Sequence, residues 1–248
     1  MNKQENDILN TLFQKPFINQ RILADASGHS LGVVNRSLKK LIKLGYLDDS
    51  IHTTQKAHTE YKQKITQRAI ILAAGFGMRM VPINTEIPKG LLEINGEPLI
   101  ERIIKQLHEV KIHEIYVVVG FMKEKYEYLI DDYGVKLIVN EDYVSKNNLH
   151  SLKRVKEHLK NSYIIPCDIW CKRNPFCRHE MYSWYMISDL NDAQSKVRVN
   201  RKNELVKVPE GSDGNAMIGI CYLGKEDAKT VDRCIDELCQ NHLYDGAF

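Results

Sequence analysis

The sequence reads Ile70-Ile-Leu-Ala-Ala-Gly-Phe-Gly77 where its first apolar run of strand length ends in a glycine turn. A strand that ends in such a turn presents a row of backbone N–H groups, which suits an anion or the edge of a nucleobase. Two cationic side chains, Arg79 and Lys89, follow in the same loop. This stretch therefore predicts a polyphosphate-binding loop at the carboxyl end of a buried strand.

The spacing of this loop excludes two common phosphate-binding motifs. An NTPase loop needs Lys-Ser/Thr directly after its second glycine, and a dinucleotide fingerprint needs a third glycine where this chain has Met80. The full string from Leu72 to Lys89, with its Pro88-Lys89 pair, resembles the N-terminal motif of the nucleotidyltransferases that join an NTP to a phosphate monoester. The resemblance implies that the nucleotide lies against the residues Leu72, Ala73, Ala74, Gly75, Phe76 and Gly77.

Length and composition indicate an ordinary globular protein. The chain has 248 residues, of which 43% are apolar and 27% charged, and this length allows one large domain or two smaller ones. A net charge of +3 is too small to imply by itself a nucleic-acid or membrane partner. No apolar run approaches the roughly 18–20 residues that span a bilayer, and the polar start Met1–Asn6 is unlike a signal peptide. We therefore expect a cytoplasmic protein with no membrane partner.

Six cysteines occur between residues 167 and 239, and none forms a Cys-x-x-Cys pair. A zinc site or disulfide is the alternative, but this spacing in a cytoplasmic chain favours reduced thiols.

Residues 1–64 have the pattern of a helical domain. Apolar residues recur at helical spacing in three stretches, and Ser30 is a fitting N-cap for the third. The order of helix, short helix, turn, longer helix and brief hairpin resembles a winged helix-turn-helix domain, with residues 48–62 as the wing. The resemblance implies that the third helix enters the DNA major groove, with four residues nearest to the DNA: Asn35, Arg36, Lys39 and Lys40.

The partner of this first domain stays open at the sequence level. Winged helix-turn-helix domains bind DNA tightly mostly as dimers, so DNA binding goes together with an expected homodimer. The alternative is a small three-helix domain that serves dimerisation or protein contact.

From Arg68 onward, apolar runs of strand length alternate with helical stretches. The predicted strands are 69–74, 115–119, 136–139 and 163–165, and the predicted helices between them are 100–110, 123–132 and 151–159. Near-continuous Val/Ile runs separated by helices are typical of a parallel sheet that is covered on both faces. We predict an α/β protein whose nucleotidyltransferase domain, residues 68–248, has a Rossmann-like mixed, mainly parallel sheet and is preceded by the winged helix-turn-helix domain at 1–64.

Nucleotidyl transfer brings two anions together while negative charge builds on the leaving pyrophosphate. Cations and a divalent metal therefore supply most of the catalysis, and Arg79 and Lys89 are the predicted cations. Asp168 ends a strand-like run, and in the nucleotidyltransferases that this chain resembles the matching Asp binds Mg²⁺. The resemblance thus implies a Mg²⁺ cofactor held by Asp168, although Pro166 departs from the acid or glycine that many of them have there. The alternative role of Asp168 is to cap a turn.

A second motif lies ahead of a predicted helix. Asn147-Asn148 followed by Ser151-Leu152 resembles a segment of the bacterial phosphocholine cytidylyltransferases that lies beside the nucleotide and helps to set the base. Two Asn side chains offer both donors and acceptors to a pyrimidine edge. The alternative is that these residues cap the helix.

The order of motifs from Gly75 onward is most similar to this choline-phosphate branch, which implies CTP and phosphocholine as substrates. A choline head group needs an aromatic pocket that binds cations. Four aromatic residues are candidates for this pocket, although aromatic residues in strands also occur in cores: Tyr182, Trp184, Tyr185 and Trp170.

The end of the chain raises the question of a second acid. Nucleotidyltransferases of this kind use a second metal-binding acid late in the domain, and the resemblance implies Asp245 for this role. The stretch after Arg68 is short for such an enzyme. We therefore expect a C-terminally truncated piece of a longer protein with a further domain, such as a choline kinase.

The leading hypothesis is a Mg²⁺-dependent cytidylyltransferase that makes CDP-choline and pyrophosphate from CTP and phosphocholine. One alternative is a sugar-1-phosphate nucleotidyltransferase, since these enzymes share the Gly75–Lys89 loop. Another is a transcription regulator that senses a nucleotide or choline and whose nucleotidyltransferase fold is not catalytic.

Overall fold

The computed structural model describes residues 1–77, 86–200 and 204–240, and the chain divides into two compact units. The first unit contains Met1–Thr66 together with the short segment Cys177–Tyr182. The second contains Gln67–Phe176 and Ser183–Phe248. The sequence places the division between residues 64 and 68, but it does not assign 177–182 to the first unit.

Four helices build the first unit. They are α1 Lys3–Gln14, α2 Gln20–Ser27, α3 Leu31–Lys43 and α4 Gln55–Gln63. Each begins at a side-chain cap, because an Asn, Ser or Thr oxygen accepts a hydrogen bond from one of the otherwise unpaired N–H groups of the first turn. Their apolar faces form one core that includes Ile8, Leu9, Val34, Leu38, Leu41 and Ala57.

The hairpin after α3 is shorter than the sequence predicts. It consists of one antiparallel bridge between Leu47 and Thr53. Thr54 then accepts a hydrogen bond from the Ala57 N–H and starts α4. The prediction of a wing over 48–62 is therefore wrong beyond Thr54, because a capped helix whose Ala57 methyl is fully buried occupies this stretch.

The segment Cys177–Tyr182 completes the first unit. Its backbone bonds to the chain just before the unit ends, since Thr66 N–H donates to Arg178 O at 2.9 Å and Glu180 N–H donates to Lys64 O at 3.0 Å. At its end the Tyr182 hydroxyl donates to Asp7 Oδ1 at 2.6 Å. Burial, and then the neighbouring Asp7, raise the pKa of Tyr182.

The second unit is a six-stranded sheet in the order β5-β4-β1-β6-β10-β7, with a separate hairpin, β8–β9, and a short pair, β2–β3. The strands are β1 Arg68–Ala73, β2 Glu93–Ile94, β3 Glu97–Pro98, β4 Glu114–Val119, β5 Lys136–Val139, β6 Ser162–Pro166, β7 Trp184–Asp192, β8 Val197–Val199, β9 Leu205–Lys207 and β10 Gly214–Leu223. The helices are α5 Leu99–Glu109, α6 Tyr128–Tyr133, α7 Asn148–Lys153 and α8 Lys225–Gln240. Strands β5, β4, β1 and β6 are mutually parallel, and β10 runs antiparallel to both of its neighbours. The predicted mainly parallel sheet is confirmed.

Strand β1 lies inside the sheet and inside both of its cores. Ala69, Ile71 and Ala73 pack into one hydrophobic cluster, while Ile70 and Ala74 pack into the cluster on the opposite face. This alternation is the period of a strand whose two faces are both covered.

The antiparallel strand β10 is irregular where it passes the end of β6. Gly219 has a φ of +100°, and a Cβ on it would lie 2.5 Å from Cγ of Pro166. The register between β10 and β7 shifts between Met217 and Cys221, which brackets this glycine. Gly219 thus lets β10 pass the proline ring that ends β6.

No helix among the described residues is long and apolar enough to cross a membrane.

We predict that Tyr182→Phe weakens the first unit and reduces its sensitivity to alkali. The raised pKa of the folded tyrosine means that its stabilising effect is complete below pH 10, the ordinary tyrosine value, and is lost as the pH rises above it. Between pH 9 and pH 11 the wild-type chain should lose up to about 1 kcal/mol of unfolding free energy through this residue. The Tyr182→Phe variant should not show this part of the loss, and its unfolding free energy at pH 8 should be lower than that of the wild type. Urea unfolding followed by far-UV circular dichroism measures the unfolding free energy at each pH. An identical pH dependence of the two proteins would refute the role given to the Tyr182 hydroxyl.

Candidate active site

The carboxyl ends of three neighbouring parallel strands meet at one edge of the sheet. The glycine loop follows β1, Gly120 and Phe121 follow β4, and Asp168 comes two residues after β6. Ligands of open α/β sheets bind at this edge, because the loops there leave the sheet in different directions and open a crevice.

The structure brings Lys89 and Asp168 together at this edge. Lys89 Nζ lies 3.1 Å from Asp168 Oδ2, although the residues are 79 positions apart in sequence. The two side chains are 26% and 33% exposed. A cation and a carboxylate that the sequence predicts as site residues are thus direct neighbours and accessible to a ligand.

Two glycines allow this approach. Gly77 has a φ of +72°, and a Cβ on it would lie 2.0 Å from Cε of Lys89, so the lysine side chain crosses the space that glycine leaves empty. Gly90, in the 3-10 turn Lys89–Leu91, packs against Cys167, because a Cβ on it would lie 3.1 Å from Cβ of that cysteine. The loop, the lysine turn and the end of β6 therefore form one assembly.

The start of the glycine loop is tied to the end of β4. Phe121 N–H donates to Ala74 O at 3.1 Å, and the Phe76 and Phe121 rings meet edge to face at 4.5 Å. Gly120 is enclosed, since a Cβ on it would lie 2.8 Å from Ala74 O and 2.8 Å from Tyr143 Cβ.

The predicted nucleotide-binding residues of this loop fall into two groups. Leu72, Ala73 and Ala74 belong to the strand end and pack into the cores. Gly75 is exposed, and Phe76 and Gly77 are half-buried. Among these six residues, a ligand can therefore reach the second group.

The Asn147-Asn148 pair begins α7. The Asn147 side chain caps this helix, since its Oδ1 accepts a hydrogen bond from Leu149 N–H at 3.0 Å. Asn148 is exposed in the first turn. For Asn147 the structure shows the capping contact that the sequence leaves as the alternative, and contact with a base stays a prediction for both residues.

The four predicted aromatic residues have different surroundings within their own units. Tyr182 belongs to the first unit and bonds to Asp7 there. Trp184 meets the buried Tyr163 ring at 5.9 Å, and Tyr185 lies opposite Cys221 in the β7–β10 ladder. Trp170 has the Arg102 guanidinium 4.9 Å from its ring centre. Contact of these four side chains with a choline group stays a prediction.

The site has one described carboxylate that suits a divalent cation. The described residues contain no group of three or more His, Cys, Asp or Glu that could hold a metal ion. A single accessible carboxylate still fits Mg²⁺, which often takes one or two carboxylates and completes its shell with substrate phosphates and water. Arg79 and Asp245, the other predicted cation and metal ligand, lie outside the described residues.

Cys167 stands beside this carboxylate but is not part of its chemistry. The thiol is buried between β6 and the lysine turn, and burial, followed by the charge of Asp168, raises its pKa to about 12. It is therefore a neutral packing residue at physiological pH. The five cysteines among the described side chains are free thiols.

Sequence reasoning missed three residues at this edge of the sheet: Gly120, Phe121 and Asn140, the fully buried residue that follows β5. Gly120 directly follows the apolar run of β4, which is the same signal that identifies Gly75 after β1. Phe121 and Asn140 carry no local signal, because their roles depend on partners in other loops.

Two family models match the chain. A MobA-like NTP transferase domain matches residues 69–196, and a winged helix-turn-helix DNA-binding model matches residues 1–48. Both matches agree with the sequence-based division into a small helical domain and a nucleotidyltransferase domain.

Curated relatives of the chain include cytidylyltransferases. A choline-phosphate cytidylyltransferase of Streptococcus pneumoniae is 46% identical over 109 residues, which is 44% of this chain and 48% of that protein. The chain thus spans about half the length of this relative. A 2-aminoethylphosphonate cytidylyltransferase of Lancefieldella rimae is 33% identical over 180 residues, which is 66% of this chain and 70% of that protein.

A solved structure shows the same fold. The CTP:phosphocholine cytidylyltransferase from Streptococcus pneumoniae superposes with a TM-score of 0.65 at 32% identity, covering 71% of this chain and 79% of that one. The predicted resemblance to choline-phosphate cytidylyltransferases is confirmed.

We predict that Gly120→Ala destabilises the second unit by about 1–3 kcal/mol, because the added methyl group would overlap a backbone oxygen that cannot rotate away. Gly75→Ala is the matched control, since a Cβ on Gly75 meets nothing within 4 Å; its effect should stay within about 0.5 kcal/mol. Both tryptophans, Trp170 and Trp184, lie in the second unit, so urea unfolding followed by tryptophan fluorescence reports on this unit alone. Equal unfolding free energies for the two variants would contradict the close packing at Gly120.

Proposed function

The chain belongs to the MobA-like NTP transferase family, and we propose that its second unit transfers the cytidylyl group of CTP to phosphocholine with release of pyrophosphate. The observation that carries the proposal is the Lys89–Asp168 pair at 3.1 Å beside the glycine loop. The cytidylyltransferase relatives support CTP as the nucleotide.

The reaction depends on electrostatic stabilisation by cations more than on covalent catalysis by the protein. An oxygen of the acceptor phosphate attacks the α-phosphorus of CTP, the bond from this phosphorus to the bridging oxygen breaks, and pyrophosphate leaves with the electron pair. Lys89 would neutralise charge on the phosphates, and Arg79 is the second cation that we propose for this role. No protein nucleophile takes part.

Asp168 would hold the Mg²⁺ ion that we propose as cofactor, and Asp245 is the proposed second ligand. When bound, Mg²⁺ supplies positive charge for the triphosphate and the leaving group. Asp168 suits this role because its carboxylate is partly exposed at the carboxyl end of β6, next to the cation that would contact the phosphates.

The two cytidylyltransferase relatives share the nucleotide but differ in the acceptor. Phosphocholine and 2-aminoethylphosphonate, which the relatives' names give as substrates, each combine an anionic phosphorus group with a cationic nitrogen, which is a quaternary ammonium in the first and a protonated amine in the second. We propose phosphocholine because the 46% identical relative is a choline-phosphate enzyme. Of the predicted pocket residues, Trp170, Trp184 and Tyr185 lie in the second unit and stay candidates for contact with the quaternary ammonium group.

The first unit is proposed to bind DNA through α3. Asn35, Arg36, Lys39 and Lys40 are all exposed on this helix, while Val34, Leu38 and Leu41 on its other face are buried in the core. This arrangement presents two lysines, an arginine and an amide on one accessible face, as the family match suggests for a DNA-binding helix. A homodimer remains the expected form for this binding.

We predict pyrophosphate release with CTP and phosphocholine in the presence of Mg²⁺, and at least a 100-fold loss of it in Asp168→Asn and Lys89→Met. The full chain is assayed against CTP, UTP, ATP and GTP, and against phosphocholine, 2-aminoethylphosphonate and glucose 1-phosphate. Asp131→Asn, an exposed Asp of α6, is the control and should retain wild-type activity. Turnover only with 2-aminoethylphosphonate would show that this compound, and not phosphocholine, is the acceptor. Turnover only with glucose 1-phosphate would favour a sugar-1-phosphate enzyme. Full activity of Asp168→Asn would show that Asp168 is not the metal ligand.

We predict that Arg36→Ala and Lys39→Ala each weaken DNA binding and lower the slope of log K against log salt concentration by about 1. Lys15→Ala, an exposed lysine just after α1, should leave the slope unchanged. Fluorescence anisotropy at several salt concentrations measures the slope. A chain that binds DNA in response to CTP or phosphocholine but releases no pyrophosphate would favour the regulator hypothesis. A chain that dimerises without binding DNA would favour the contact-domain alternative.

A further inference from the structure

Asn140 is a buried polar residue just after β5, in the row of strand ends that forms the site. Its side chain is completely buried, with 0% exposure, and its N–H donates to Val119 O, the last residue of β4, at 2.8 Å. A buried amide needs partners for both its oxygen and its nitrogen, because an unpaired group inside the protein is costly.

The Asn140 amide has these partners at both ends of the loop Glu141–His150, whose last three residues form the start of α7. Its Oδ1 accepts a hydrogen bond from Asp142 N–H at 3.2 Å and lies 3.1 Å from His150 Nδ1. Its Nδ2 donates to Ser151 Oγ at 3.0 Å. The amide thus connects the first residues of the loop to the last ones.

The backbone fixes which way this amide faces. Asp142 N–H can only donate, so the oxygen of Asn140 must point towards it and the nitrogen towards Ser151. An amide oxygen can only accept, so His150 must carry a proton on Nδ1. Burial, followed by the charge of Arg154, lowers the pKa of His150 below its usual value.

The outside of the loop is tied by a second contact. Arg154 Nη2 lies 2.8 Å from Asp142 Oδ2, and within the loop Asn147 caps α7. Between these ties, Tyr143 packs against Gly120, which in turn packs against Ala74 at the start of the glycine loop. The loop that carries Asn147 and Asn148 is therefore held at both ends next to the predicted nucleotide loop.

We propose that Asn140 is a positioning residue for nucleotide selection: its buried amide, with Ser151 as partner, closes the Glu141–His150 loop and thereby places Asn147 and Asn148 at the nucleobase. Asn140 itself is buried and acts through the loop. This inference rests on the proposed function, since it assigns the base-contacting segment of the same site. A base is discriminated by donors and acceptors that are held in place before it binds, so loosening the loop weakens the choice between CTP and UTP as well as the affinity.

Two buried serines of the second unit provide a matched pair of substitutions. Ser151 accepts the Asn140 hydrogen bond and is 3% exposed, whereas Ser162, 0% exposed, donates to Leu159 O at the amino end of β6. Ser151→Ala and Ser162→Ala remove the same hydroxyl group from equally buried places. Only Ser151→Ala removes the hydrogen-bond partner of Asn140 Nδ2.

The experiment is a calorimetric titration of the full chain with CTP and with UTP in the presence of MgCl₂. Ser151→Ala should raise the Kd for CTP about tenfold, the size of one lost buried hydrogen bond, and should reduce the ratio of the UTP and CTP Kd values. Asn140→Ala should do so more strongly, and hydrogen exchange over residues 141–149 should speed up in both variants. Ser162→Ala should lower the melting temperature but keep the wild-type Kd ratio.

The outcomes separate this inference from the proposed function. A wild-type chain that prefers CTP, with Ser151→Ala and Ser162→Ala both keeping that preference, would overturn the positioning role alone. A wild-type chain that binds neither nucleotide would overturn the proposed function and the positioning role with it. A CTP preference that falls in Ser151→Ala and Asn140→Ala, and not in Ser162→Ala, supports both.

Discussion

Strand β1 has parallel neighbours on both sides and a hydrophobic core on both faces, and the second unit is arranged around this constraint. Side chains from Ala69 to Ala74 are used in packing, so Gly75 is the first residue of this run that is exposed. The neighbouring strands β4 and β6 run in the same direction and end at the same edge. The position of the site is therefore a consequence of how β1 is buried.

Close approach at this edge depends on residues that lack a side chain. At Gly77 the Lys89 side chain, and at Gly120 the Ala74 carbonyl, come too near to leave room for a Cβ. At Gly90 the Cys167 side chain would be in tight contact with a Cβ. Three loops from distant parts of the sequence can meet only because of these gaps. The glycines thus contribute to the site by letting other groups occupy their space.

Much of the second unit could be predicted from its local pattern. The strand predicted at 136–139 is β5, the helix predicted at 100–110 is α5 at Leu99–Glu109, and the sheet is mainly parallel. The predicted helix over 151–159 instead starts at Asn148, because the Asn147 cap ends the preceding loop, and it continues after α7 only as the 3-10 turn Lys156–His158. Caps and turns of this kind depend on single side-chain contacts, which a periodicity does not contain.

The site was predictable where one segment carries the whole signal and was not where two segments share it. Lys89 and Asp168 follow from a loop and a strand end, each visible in a few consecutive residues. Asn140 reads as an ordinary turn residue until its three partners are known. Tyr182 is two residues from Trp184 in sequence, but the backbone pairing of 177–182 with Lys64 and Thr66 places it in the first unit. Contacts between distant segments decide both cases.

The partial exposure of the Lys89–Asp168 pair bears on how this edge of the sheet could bind a ligand. Both side chains are partly exposed, and ion pairs of this kind contribute only about 0–1 kcal/mol to stability. A polyphosphate carries several charges, so its attraction for the lysine can exceed the weak attraction of the single carboxylate. A fully buried pair would resist separation by several kcal/mol, because each partner would be left charged without solvent. The partial exposure of this pair therefore suits the proposed role of Lys89, in which Asp168 holds the cation in place until a nucleotide binds it.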